Sequence, residues 1–70
     1  MKTIRIQEQY ITLGQLLKLC DCISTGGQAK MFLREVPVWV NGEREQRRGR
    51  KLYEHDVISI EGFGEIQLTR

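Results

Sequence analysis

From Asn41 to Leu52 the chain reads NGEREQRRGRKL, placing five cations, Arg44, Arg47, Arg48, Arg50 and Lys51, in eight consecutive positions, with no apolar side chain before Leu52. Four of the five are arginines, whose planar guanidinium donates bidentately to phosphate or carboxylate where a lysine ammonium is only a point charge. The acids near enough in sequence to neutralise the run, Glu43 and Glu45, both stand at its start. A cationic loop is commonly just solvated surface, but a second cluster shifts the balance. Lys30 and Arg34 are four residues apart, so on a helix they repel by a few tenths of a kcal/mol, a cost that an anionic partner offsets. Ahead of them stands Thr25-Gly26-Gly27-Gln28. Its glycines leave the first amides of a helix unobstructed, an arrangement that favours phosphate and serves equally as a flexible corner between helices.

The charge is unevenly spread. Residues 28–51 carry a net of +4 and the remainder −2, within a total of +2, and such asymmetry points to an anionic partner more clearly than the total does. As exposed loop cations, Arg47 and Arg50 are expected to contribute little to folding.

Other chemistries find little support. His55 is the single histidine, which leaves no partner set for a Ser-His-Asp or Cys-His constellation. Cys20 and Cys22 lack Cys-x-x-Cys spacing, so no structural zinc site is expected. If helix one runs through both, they point about 160° apart, and a bond between them is not expected. GFG lacks the third glycine of a dinucleotide fingerprint, and no P-loop occurs. A chain of 70 residues makes one domain, residues 1–70, with a thin core and no deep pocket. The expectation is a binding protein, not an enzyme, with no cofactor, metal or small-molecule substrate. With no apolar run long enough to span a membrane and no secretory signal, the expected location is cytoplasmic, where free thiols are ordinary.

The elements that must position these cations follow from periodicity. Ile4 and Ile6 share one face of a strand over residues 3–7. Thr12 and Gln15 stand in capping-box spacing ahead of Leu13, Leu16, Leu17, Cys20 and Ile23, giving a helix over 12–22 with Cys22 and Lys18 on its far side. Thr25 and Gln28 repeat the device before a second helix, with Ala29, Phe32, Leu33 and Val36 on one face. Val38 and Val40 alternate in a strand that ends at the Asn41-Gly42 turn, which leaves Trp39 on the outer face, packed locally or open to stacking on a base. Tyr53 is open to the same two readings. Ile58 with Ile60 and Ile66 with Leu68 mark two more strands, joined through Gly62 and Gly64. The order β, α, α, β, loop, β, β gives an α+β domain, with two helices packed on one face of a small, mainly antiparallel sheet.

The span Thr12 to Glu61 resembles the S4 RNA-binding domain family. Leu13, Leu16 and Leu17 match its capped leucine-rich helix, Ala29 and Lys30 its second helix, Val38, Val40, Asn41 and Gly42 its Val-x-Val-Asn-Gly strand end, and Asp56 with Ile58 its later Asp-x-Ile step. GGQAK, FLRE, VNGE and RRGRKL are similar to segments of the stand-alone bacterial branch often called YaaA-like. The resemblance implies the family's alpha-L motif, and RNA binding through the start of the second helix and the basic loop. The residues so implicated are Thr25, Gly26, Gly27, Gln28, Lys30, Arg34, Asn41, Arg44, Arg47, Arg48, Arg50 and Lys51. It also implies structured ribosomal RNA or a ribosomal particle as partner, in ribosome assembly and without modification chemistry. The rival readings are a protein-interaction module that uses the arginine-rich loop and non-specific DNA binding. Two departures stand out. Val36-Pro37 replaces the glycine that often follows the second helix, and Glu54-His55 replaces a Pro-Gly, so that His55 is expected at positive φ.

Overall fold

The computed structural model describes residues 1–70. In chain order the elements are β1 (Lys2–Arg5), β2 (Ile11–Thr12), α1 (Leu13–Leu19), a 3-10 turn (Gly26–Gln28), α2 (Ala29–Glu35), β3 (Val38–Val40), β4 (Glu43–Arg44), β5 (Lys51–Leu52), β6 (Val57–Ile60) and β7 (Gly64–Thr69). Five strands form one sheet in the order β1-β7-β6-β3-β4, and β2 pairs with β5 in a separate two-stranded ladder. All pairings are antiparallel except β1 with β7, where Lys2 faces Ile66 and Arg5 faces Thr69. The fold is therefore the expected small α+β arrangement, with a mixed, mainly antiparallel sheet. No helix is long and apolar enough to cross a membrane.

The period-2 positions carry the sheet's inner face. Val38, Val40, Ile58, Ile60, Ile66 and Leu68 are buried together with Leu13, Leu16 and Leu17 of α1 and Ala29 and Leu33 of α2. Each large side chain among them contributes roughly 1.5–3 kcal/mol on burial. Phe32 and Val36 sit at the margin of this core, only partly covered. Strand β1 stops at Arg5, two residues short of expectation, although Ile6 is buried and its N–H still donates to the Thr69 carbonyl at 2.7 Å.

Local chemistry sets the element ends. The capping box of α1 is present: the Thr12 N–H donates to Gln15 Oε1 at 2.8 Å, and the Gln15 N–H donates to Thr12 Oγ1 at 3.2 Å. The helix ends at Leu19 and not at residue 22, because Asp21 turns left-handed at φ 61. The Cys22 N–H then reaches back to the Leu17 carbonyl at 2.9 Å and the Asp21 N–H to the Lys18 carbonyl at 3.1 Å, the paired bonds of a Schellman motif. This overturns the expected divergence of the cysteines. Once the chain reverses at Asp21 the helical 100° step no longer applies, and the two Sγ atoms lie 2.8 Å apart.

Helix α2 begins as a 3-10 turn and leaves through Val36 at φ −111, ψ 120, the extended conformation that a following proline requires. Asn41 and Gly42 both take positive φ, at 51 and 86, as a two-residue type I′ hairpin needs. His55 is also left-handed, at φ 76.

Candidate nucleic-acid interface

The basic loop is fastened to the start of α1 by a short zip of backbone bonds. Ile11 faces Leu52 and Thr12 faces Lys51 in the β2–β5 ladder, and the fully buried Leu52 pins that ladder to the core. The pairing runs on into the helix: the Leu13 N–H donates to the Arg50 carbonyl at 2.9 Å, and the Gly14 N–H donates to the Arg48 carbonyl at 2.8 Å. Two of the amides that a helix start leaves without partners are thereby satisfied. The approach does not depend on the glycine at position 14, since a Cβ there would stand 3.4 Å from the Arg48 oxygen and 3.6 Å from its Cβ, ordinary van der Waals distances.

Within the loop the organising group is an acid. Glu45 is 5% exposed, the one buried charged residue of the chain. Its Oε2 accepts from the N–H groups of Gln46 and Arg47 at 3.1 and 3.0 Å and from Arg47 Nε at 3.0 Å. Its Oε1 accepts from Arg47 Nη2 at 3.2 Å and Arg50 Nη1 at 2.7 Å. Foremost the Arg47 side chain, and then Arg50, hold this carboxyl at about 2, below its ordinary 4.5, against burial, which pulls the other way. A buried charge persists only when paired and hydrogen-bonded in this manner. The expectation that Arg47 and Arg50 matter little to folding is corrected here: both neutralise a buried carboxylate, and the Arg50 side chain is itself only 33% exposed. Arg47 remains 77% exposed, so one edge of its guanidinium still faces solvent.

Beside this loop lies an open cleft of about 380 Å³ lined by Thr12, Gly14, Gln15 and Lys18 of α1 and its cap, by Gly26 and Ala29 at the start of α2, and by Arg48 and Gly49. Its charged lining is Lys18 and Arg48, with no acid. Lys30 and Arg34 follow Ala29 on α2, four residues apart and both exposed. Lys51 faces Thr12 across the ladder, with its Nζ 4.9 Å from the Tyr10 ring centre.

The other implicated residues are placed differently. The Asn41 side chain is occupied by the fold, donating from Nδ2 to Asp56 Oδ1 at 3.0 Å and accepting from the Val57 N–H at 2.9 Å. Gln28 shapes the corner, where its Oε1 accepts from the N–H groups of Ser24 and Thr25 at 2.7 and 3.2 Å. Gly27 lines a different groove. Arg44 faces Trp39 in the β3–β4 register, with its guanidinium carbon 5.8 Å from the indole centre. Both therefore lie on the sheet face opposite the buried Val38 and Val40, apart from the cleft. Tyr53 packs its ring 5.9 Å from that of Tyr10.

Lys18 and Glu45 are not among the residues that the sequence implicates in binding. Lys18 falls on the Gln15 side of α1, a phase the helical period supplies; what faces it is a loop 30 residues onward, which periodicity does not reveal. Glu45 carries no local mark of burial beyond Leu52 following seven positions later.

A family model described as S4 domain matches residues 4–68 of the chain. The chain is also 58% identical over 66 residues to the "Probable ribosome maturation protein RlbA" of Bacillus subtilis (strain 168), an alignment that covers 94% of this chain and 93% of that protein.

Proposed function

The chain belongs to the S4 domain family, and from that premise we propose that it binds folded RNA, ribosomal in kind, through the cleft between α1, the start of α2 and the basic loop. The observation that carries this reading is the cleft's charge: Lys18 and Arg48 line it, and no carboxylate does. Phosphate oxygens would meet Lys18, Arg48, Lys30, Arg34 and Lys51, with Arg47 adding its exposed edge. Thr25, Gly26 and Gln28 give the corner its shape, while Arg50 and Asn41 hold the surrounding backbone. Such contacts read shape and backbone more than sequence. The role is binding, without chemistry on the RNA, and it belongs to ribosome maturation in the cytoplasm. That last step draws on the name of the relative from Bacillus subtilis.

The test is a titration of a structured ribosomal RNA fragment, an equally long duplex DNA and an unstructured RNA, each at three salt concentrations. The folded RNA should bind tightest, with log K falling against log salt at a slope between about −3.5 and −4.5 for four or five phosphate contacts. Equal affinity for all three would indicate general polyanion binding. A flat salt response would return the basic run to solvated surface.

A further inference from the structure

We propose that Cys20 and Cys22 form a reversible internal disulfide in exchange with low-molecular-weight disulfides, so that a thiol adduct on either cysteine is expelled by the other. The Schellman turn at the end of α1 brings the two Sγ atoms to 2.8 Å with both cysteines free. Closing to a bond of about 2.05 Å moves the sulfurs by less than about 1 Å. Both side chains are partly exposed. Cys22 also lines an open groove of about 350 Å³ with Gly27, Met31, Phe32 and Glu35.

The exchange balances without a metal or a further oxidant. One protein thiolate attacks a sulfur of R′S–SR′, forming a mixed disulfide and releasing R′S⁻. The second protein sulfur then attacks the first and releases the other R′S⁻. The two thiol protons end on the two R′S⁻ groups, so one protein dithiol and one R′SSR′ give one protein disulfide and two R′SH. Burial foremost, and then the Cys20 thiol, push Cys22 up to about 12; Asp21 adds to this and Lys2 opposes it. The thiolate is the attacking species, so attack by Cys22 is slow at neutral pH and quickens as pH rises. The two cysteines lie in the segment that runs from Lys18 to Gly26, two residues of the basic cleft, while Cys22 itself opens on the neighbouring groove. Expelling an anionic adduct keeps added negative charge off this corner, which Gly26 joins to the cleft. That consequence rests on the RNA reading, whereas the thiol exchange does not.

The experiment incubates the intact protein, and separately its Cys20→Ser and Cys22→Ser variants, with oxidised glutathione, and reads the mass and the number of alkylatable thiols. The unaltered chain should lose the mass of two hydrogens and both reactive thiols, and dithiothreitol should restore them. Each serine variant should instead retain one glutathione until it is reduced. A parent protein that accumulates glutathione adducts, forms dimers through intermolecular disulfides, or keeps both thiols free while the single variants are modified would overturn the proposal. The parent measurement stands even if a variant folds poorly. RNA titration of the same oxidised samples reports separately on the consequence for the cleft.

Discussion

The loop of residues 45–50 and the corner of residues 20–28 flank the same cleft, yet different forces hold them in place. The corner is fixed by neutral groups: the Asp21 and Cys22 amides close the end of α1, and Gln28 Oε1 gathers the Ser24 and Thr25 amides. The loop is fixed by an ionised one, the buried Glu45 with two arginines and two amides around it. Neutral hydrogen bonds respond little to pH or salt, whereas a buried ion pair depends on both partners staying charged. A run of arginines in one loop therefore divides its work. Arg47 and Arg50 hold the backbone, and Arg48 faces the cleft.

Removing the centre of the loop should have the largest effect on this contrast. Glu45→Ala leaves two guanidinium groups and two amides without their acceptor and should cost about 2–4 kcal/mol of stability in urea unfolding. A loss below about 1 kcal/mol would mean that the loop is held by its backbone zip alone.

The pH response comes next. The folded-state value of Glu45 lies near 2 and its ordinary value is 4.5, so its contribution is fully present above 4.5 and fades as pH falls from there through 2, by an amount on the order of 2 kcal/mol. Urea midpoints at pH 7 and pH 3 should differ for the parent and differ less for Glu45→Gln, which removes the titrating group. Equal acid sensitivity in the two proteins would assign the effect to other carboxylates.

At the corner, Gln28→Ala removes one side-chain acceptor from two exposed amides and should cost about 1 kcal/mol, with no change between pH 7 and pH 3 beyond that of the parent. An acid-dependent loss in this variant would erase the distinction between the two regions. The smallest effect on stability belongs to Arg48→Ala. Melting should shift by less than the equivalent of about 0.5 kcal/mol, while the salt slope for RNA drops by about one unit. If Arg48→Ala and Arg50→Ala destabilised the fold alike, the division of work among the arginines would fail.

What could be read from the sequence was whatever repeats. Alternation at Val38 and Val40, at Ile58 and Ile60, and at Ile66 and Leu68 identifies the sheet's inner face, since the pleat forces period 2 on any one-sided strand. Thr12 with Gln15, and Asn41 with Gly42, mark an element start and a turn because their chemistry is local. Strands β2, β4 and β5 went unseen because two residues have no period. The closeness of Cys20 and Cys22 was hidden for a related reason. Helix one stops at Leu19 through a left-handed aspartate, where a glycine would have given the sign. At the candidate site, the cations were legible as charge and their separate tasks were not. Which arginine faces a cleft and which faces Glu45 depends on where a ladder two residues long fastens the loop to α1.

Strand β1 has a consequence for how the chain acquires its structure. Lys2 pairs with Ile66, so this edge forms only by closing nearly the whole chain into a loop, whereas β6 and β7 are joined by a tight turn and β3 and β4 by Asn41-Gly42. Closure of so long a loop costs more entropy than closure of a hairpin, and contacts of large sequence separation slow folding. The β3-β4 and β6-β7 hairpins are thus the natural nuclei, with β1 docking after them. In the native state, opening β1 returns that loop entropy without disturbing the antiparallel strands, so its amides should exchange with solvent sooner than those of the central strands β6 and β7.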